Sequence, residues 1–156
     1  MTKILIAVDD SSAARSAVAY AGRYFSKADG VEVGLVHVLP NLPAIFWDEG
    51  HILSDGEKAD RRKVVDKWLL EHRNKMEPLM EKDRSSLATA GIPASKVVAK
   101  FISDSTDPAD SILEEAKNSG YKVVIVGRSH RSRHVLGTMA AKIVGRGGGL
   151  VVTIVD

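Results

Sequence analysis

Four short stretches of this chain are aliphatic at almost every position: ILIAV at residues 4–8, VEVGLVHVL at 31–39, KVVIVG at 122–127 and LVVTIV at 150–155. A strand with one wet face alternates apolar and polar residues. An uninterrupted apolar run instead needs cover on both faces, which parallel strands sandwiched between helices have. A fifth stretch, KVVAKFIS at 96–103, is interrupted by Lys100 and reads as a strand with less complete cover.

The segments between these runs carry helical spacing. Ser11 and Ser12 can cap a helix whose apolar positions Ala14, Val18, Ala21 and Phe25 recur every three to four residues, with Gly30 beyond its end. From Glu57 to Ala90 the chain is long and charged, with Val65, Trp68, Leu69, Met76, Leu79, Met80 and Leu87 forming one apolar stripe. It reads as one helix kinked at Pro78 or as two in succession. STDPADSILEEAKNSG has a capping residue, Pro108 in its first turn, early acid and Gly120 as a stop. MAAKIVG, 139–145, reads as a fourth helix. Strand and helix thus alternate throughout, and right-handed crossovers then give an α/β fold. The expectation is one domain over 1–156, a doubly wound, Rossmann-like five-stranded parallel sheet of order 3-2-1-4-5 with helices on both faces.

Composition narrows the function classes. The chain has no cysteine, which excludes disulfides, thiolate metal sites and a thiol nucleophile, and fits a reducing cytoplasm. Its net charge of +2 provides no global polycation for nucleic acid or membrane. The apolar run near the N-terminus is too short for a signal segment or a membrane span. A cytoplasmic protein is expected.

Ligands of open α/β sheets bind beyond the carboxyl ends of the strands. That rule separates two glycine clusters. GRGGG at 145–149 precedes the last strand, lies at the opposite edge, and reads as a helix stop and turn. VGRSHRSRHVLGT at 126–138 follows a strand on the ligand side. A helix starting near Thr138 would present free N–H groups and a partial positive charge, and Gly127 and Gly137 would admit close backbone approach. Arg128, Arg131 and Arg133 could neutralise an anion there. The plainer reading is a solvated basic loop with Thr138 as a helix cap.

These residues resemble the universal stress protein family over nearly the whole chain. ILIAVDDS resembles its first strand, GLVHVL its second, DPADSILEEA the start of its third helix, and VVIVGRSH with LGT its phosphate loop. ATP-binding members carry glycine, two residues, glycine, nine residues, glycine, then Ser or Thr. The resemblance implies ATP or a related adenine nucleotide as ligand, with magnesium. Asp9 would lie beside the adenosine and the Val38 backbone at the adenine. Gly127, Gly137 and Thr138 would hold phosphates, with Arg128 and His130 in the same loop. Two departures stand out: His130 occupies the second glycine position, and only residues 131–136 separate it from Gly137. Asp10 also stands where glycine is common, adding a carboxylate near a polyphosphate. The implied function is a regulatory stress-response module, with at most slow ATP hydrolysis or autophosphorylation. The departures imply an alternative: a member without nucleotide binding, acting as a dimeric interaction module through the 40–56 loop with its Ile45, Phe46 and Trp47. The wholly apolar last strand, 150–155, falls at a sheet edge, so antiparallel pairing of two copies into a homodimer is expected.

Rival readings are weaker. The paired acids after strand one also resemble a receiver domain, but the lysine after a fifth strand is missing and the 40–56 loop replaces the acceptor strand. GRSHR lacks the final glycine of a nucleophile elbow. His130 and His134 have metal-pair spacing but sit among arginines, so no metal site is expected. A basic loop without interleaved aromatics offers nucleic acid no stacking platform. His37, His51 and His72 read as isolated strand, loop and helix-face residues.

Overall fold

The aliphatic runs become parallel strands because consecutive residues on each have a different layer to pack against. The computed structural model describes residues 1–41, 54–128 and 137–156. In chain order the elements are β1 (Lys3–Ala7), α1 (Ser12–Phe25), β2 (Glu32–Val38), α2 (Asp55–Ala90), a single 3-10 turn (Ala94–Lys96), β3 (Val97–Ile102), α3 (Pro108–Asn118), β4 (Val123–Gly127), α4 (Thr138–Arg146) and β5 (Val151–Val155). The sheet order is β3-β2-β1-β4-β5 and every pairing is parallel, as the sequence predicts.

Register fixes the two cores. Ile4 lies beside Val33 and Val123, and Ile6 beside Leu35 and Ile125. This row packs with Ala14, Ala17, Val18 and Ala21 of α1 and Met80 and Leu87 of α2. The alternate row, Leu5, Ala7, Val36, Val124 and Val126, packs with Ala109, Ile112, Leu113 and Ala116 of α3 and Ala140 and Ile143 of α4. Three layers result, with all helix starts at the carboxyl end of the sheet. β3 carries the exposed Val98 and Lys100, in keeping with its interrupted sequence.

Helix ends follow local chemistry. Ser11 accepts the Ala14 N–H at 3.1 Å and starts α1. Ser54 and Glu57 form a reciprocal capping box at the head of α2. Gly91, at φ 111°, ends that helix in the left-handed conformation that glycine tolerates. α2 is one helix rather than two: it runs through Pro78, whose side chain is exposed opposite the buried Met76 and Met80. Its apolar stripe is buried only in the second half. Val65, Trp68 and Leu69 are half-buried, and Val64 and Leu70 are exposed. Asp107 caps α3 and receives hydrogen bonds from Lys142 at 2.9 Å and Arg146 at 3.1 Å, fixing the start of α3 against α4. Those bonds, Lys142 first, hold its carboxyl down to about 2. GRGGG is the stop of α4 and the turn into β5, as expected. Among the described residues no helix is long and apolar enough to cross a membrane.

Candidate functional site

The carboxyl ends of β1, β2 and β4 lie side by side because Ile6 is in register with both Leu35 and Ile125. The Val8 N–H donates to the Val36 carbonyl at 2.9 Å and carries the pairing one residue further. Asp9, Val38 and Gly127 therefore sit at the end of the sheet where the sequence puts a ligand. Beyond β4 the chain re-enters at Gly137, the N-cap of α4, and Thr138 is the first helical residue rather than the cap. Among the described residues no side chain caps this helix. Its first-turn N–H groups are the kind of donors that anions use.

Local contacts give several of these residues further work. The Asp9 carboxylate accepts the Ser11 N–H at 2.8 Å, closing the turn into α1. Gly127 has a packing reason to lack a side chain: a Cβ there would lie 2.5 Å from the Ala13 carbonyl carbon and oxygen and 2.6 Å from its Cβ. The first turn of α1 thus rests directly on the end of β4. Arg128 donates its backbone N–H to Val155 at 2.7 Å and ion-pairs through Nε with Asp156 at 2.7 Å, directing its side chain toward β5. Asp10 faces Lys75 of α2 at 3.6 Å, so the added carboxylate has a cation beside it. His130, Arg131, Arg133 and His134 lie outside the described residues, as do Ile45, Phe46 and Trp47. Among the described residues no three His, Asp or Glu side chains are grouped to hold a metal.

Two constellations near this end escape sequence reasoning. Arg15 donates through one terminal nitrogen to the Asp9 carbonyl at 2.8 Å and to Asp83 of α2 at 2.7 Å. Asp83 is 2% exposed, and burial pushes its carboxyl up to about 6 against the opposing pull of Arg15 and Lys82. Second, His37 and His72 do not stand alone. Their Nε2 atoms are 3.1 Å apart with the rings stacked, and His37 Nδ1 lies 2.7 Å from the Val8 carbonyl. Trp68 stacks on His72, Phe101 meets His37 edge-on, and the Arg73 guanidinium lies 4.8 Å from the Phe101 ring centre. A contact between β2 and a helix some thirty residues away leaves no local pattern, which is why the two histidines look isolated in the sequence. A groove of about 630 Å³ on this flank, between α2 and β3, is lined by Arg73, Glu77, Met80 and Phe101. It opens beside the sheet rather than over the strand ends.

The model of the universal stress protein family matches residues 1–147. The chain belongs to that family. Among solved structures it is similar to the universal stress protein UspA of Lactobacillus plantarum, with a TM-score of 0.72 and 16% identity over 99% of this chain and 97% of the other. It is also similar to a universal stress protein of Archaeoglobus fulgidus in complex with dAMP, with a TM-score of 0.64 and 17% identity over 100% and 98% of the two chains. A third likeness is to a universal stress protein family protein of Arabidopsis thaliana with AMP bound, with a TM-score of 0.63 and 18% identity over 100% and 93%. Among curated proteins none matches. At these identities the universal stress protein structures establish the fold.

Proposed function

We propose that this universal stress protein is a regulatory, cytoplasmic module that holds an adenine nucleotide, ATP with magnesium or a related species, across the carboxyl ends of β1, β2 and β4. In this reading Asp9 and the Val38 backbone flank the adenosine, while Gly127, Arg128, His130, Gly137 and Thr138 surround the phosphates. The observation that carries it is the N-terminus of α4. It begins at Gly137 with no side-chain cap among the described residues, at the same end of the sheet as Asp9 and Val38, and so offers first-turn donors to a phosphate. The dAMP and AMP complexes of two family members support the choice of ligand class.

Calorimetric titration with AMP, and with ATP and magnesium, tests this reading. Micromolar affinity, reduced by at least about tenfold in Gly137→Val, is expected, since a branched side chain at the N-cap crowds the phosphate; tenfold corresponds to about 1.4 kcal/mol. No binding of either nucleotide would leave the interaction-module reading in its place.

We further propose that two copies pair through β5. This is an edge strand whose Val151 is 61% exposed, an apolar edge of the kind that monomeric proteins blunt or cover. Sedimentation equilibrium at micromolar concentration should give a dimer, and Val151→Lys should shift it to monomer. A monomer in the wild-type protein would end this part of the proposal.

A further inference from the structure

The His37–His72 pair joins three elements at the ligand end of the sheet, and its hydrogen atoms are constrained by geometry. His37 Nδ1 meets a carbonyl oxygen, that of Val8, so it must carry the hydrogen and donate. Neutral His37 then has a bare Nε2, which accepts from His72 Nε2–H at 3.1 Å. One added proton is tolerated: placed on His72 Nδ1, it leaves the Nε2–H donation intact. A second proton has only His37 Nε2 left to occupy. Two N–H groups then point at each other between two like charges, and the contact cannot persist.

We propose that this pair is a proton-operated latch. The neutral and singly protonated forms hold α2 against the ends of β1 and β2, and the doubly protonated form releases it, lowering affinity at the adjacent nucleotide site. The coupling rests on the nucleotide reading above, because His37 immediately precedes Val38 and its Nδ1 holds the residue before Asp9. The surroundings bias the latch toward closure. From α2, Lys75 adds like charge and Trp68 stacks on His72; from β3, Phe101 meets His37 edge-on, with the Arg73 guanidinium 4.8 Å from the Phe101 ring centre. From the β1–α1 turn only Asp10 favours the charged state, and it is shared with Lys75. Accordingly the His72 imidazole titrates below its ordinary value, through desolvation first, then His37 and Lys75, with Asp10 opposing.

The experiment follows two readouts at pH 7.5 and pH 5. The first is amide hydrogen exchange of residues 61–76, which reports the latch without any ligand. The second is affinity for cyclic AMP, whose phosphodiester keeps one charge over this range, unlike a phosphomonoester with its second pKa near 6. Protection and affinity should each fall by about tenfold in the wild-type protein, corresponding to about 1.4 kcal/mol of latch free energy. In His72→Leu, which retains an apolar contact without a titrating ring, both should become nearly independent of pH. The effect of any other titrating group is common to both proteins, so their difference isolates the pair. An unchanged pH response in His72→Leu would overturn the latch. So would micromolar zinc binding at pH 7.5 that extinguishes both imidazole NMR signals, since the pair would then be metal ligands. Failure to bind any of cyclic AMP, AMP and ATP with magnesium at pH 7.5 would overturn the coupling and the nucleotide reading together, while the exchange data alone would still decide the latch.

Discussion

Substituting alanine for Gly127 is expected to lower the unfolding free energy by about 3 kcal/mol, at the upper end of what overpacking costs. In a chain of this size that is a fall of about 10 °C in Tm. The reason is what the added methyl meets. At 2.5 Å from the Ala13 carbonyl carbon and oxygen there is no flexible side-chain tip to move aside, only the first turn of α1, which is itself pinned by the Ser11 cap and the core contacts of Ala14 and Ala17. Either β4 or α1 must shift; β4 ends in Gly127, and the turn into α1 holds Asp9, both proposed ligand residues. Thermal unfolding separates two reasons for a glycine here. If Gly127 serves only backbone approach to a phosphate, Gly127→Ala weakens nucleotide binding and leaves Tm unchanged; if it serves helix packing, Tm falls with no ligand present. The structure supports the second and leaves room for the first in addition.

Gly127 also illustrates what a sequence shows and what it conceals. Period and punctuation are local, so the five strands, the four helices and the stops at Gly120 and GRGGG can all be read from neighbours in the chain, although α1 ends at Phe25, ahead of Gly30. Strand order follows once alternation and handedness are accepted. The site is different, because its residues meet only after the sheet has formed. Asp9, Gly127 and Thr138 are legible through their position after a strand or at the start of a helix. Asp83 and His72 are polar residues on a long charged helix, and nothing nearby distinguishes them from solvated neighbours. Their partners Arg15 and His37 lie on other elements, and only the crossing of α2 over α1 and β2 brings them together. The apolar stripe of α2 misleads for a related reason: periodicity shows which side is apolar, but not that the sheet ends before Val65 and Trp68 can be fully covered.

Arg15→Ala is expected to cost about 3 kcal/mol of stability at pH 8 and about 1 kcal/mol at pH 5, because removing the partner of a buried charge leaves that charge uncompensated only while it remains ionised. Asp83 has a carboxyl at about 6 in the folded protein against about 3.8 for an ordinary aspartate. The folded state therefore takes up its proton more readily than the unfolded one. That contribution to stability is complete below about pH 3.8 and is lost as pH rises through about 6, a difference on the order of 3 kcal/mol. Without Arg15 the carboxyl moves further upward, and the loss extends toward neutral pH. Below about pH 6 most of the protein already carries the proton, so the guanidinium has less charge to compensate. Urea denaturation of wild type, Arg15→Ala and Arg15→Ala/Asp83→Asn at the two pH values checks this, and the double variant should show little of the difference. An equal loss at both pH values would mean that the cost arises from contacts of Arg15 other than the Asp83 charge, such as its bond to the Asp9 carbonyl. Arg15 also donates to the Asp9 carbonyl, so Arg15→Ala should weaken nucleotide binding even at pH 5, where most of the fold's stability is retained. The arginine thus links a buried acid in α2 to the turn that follows β1.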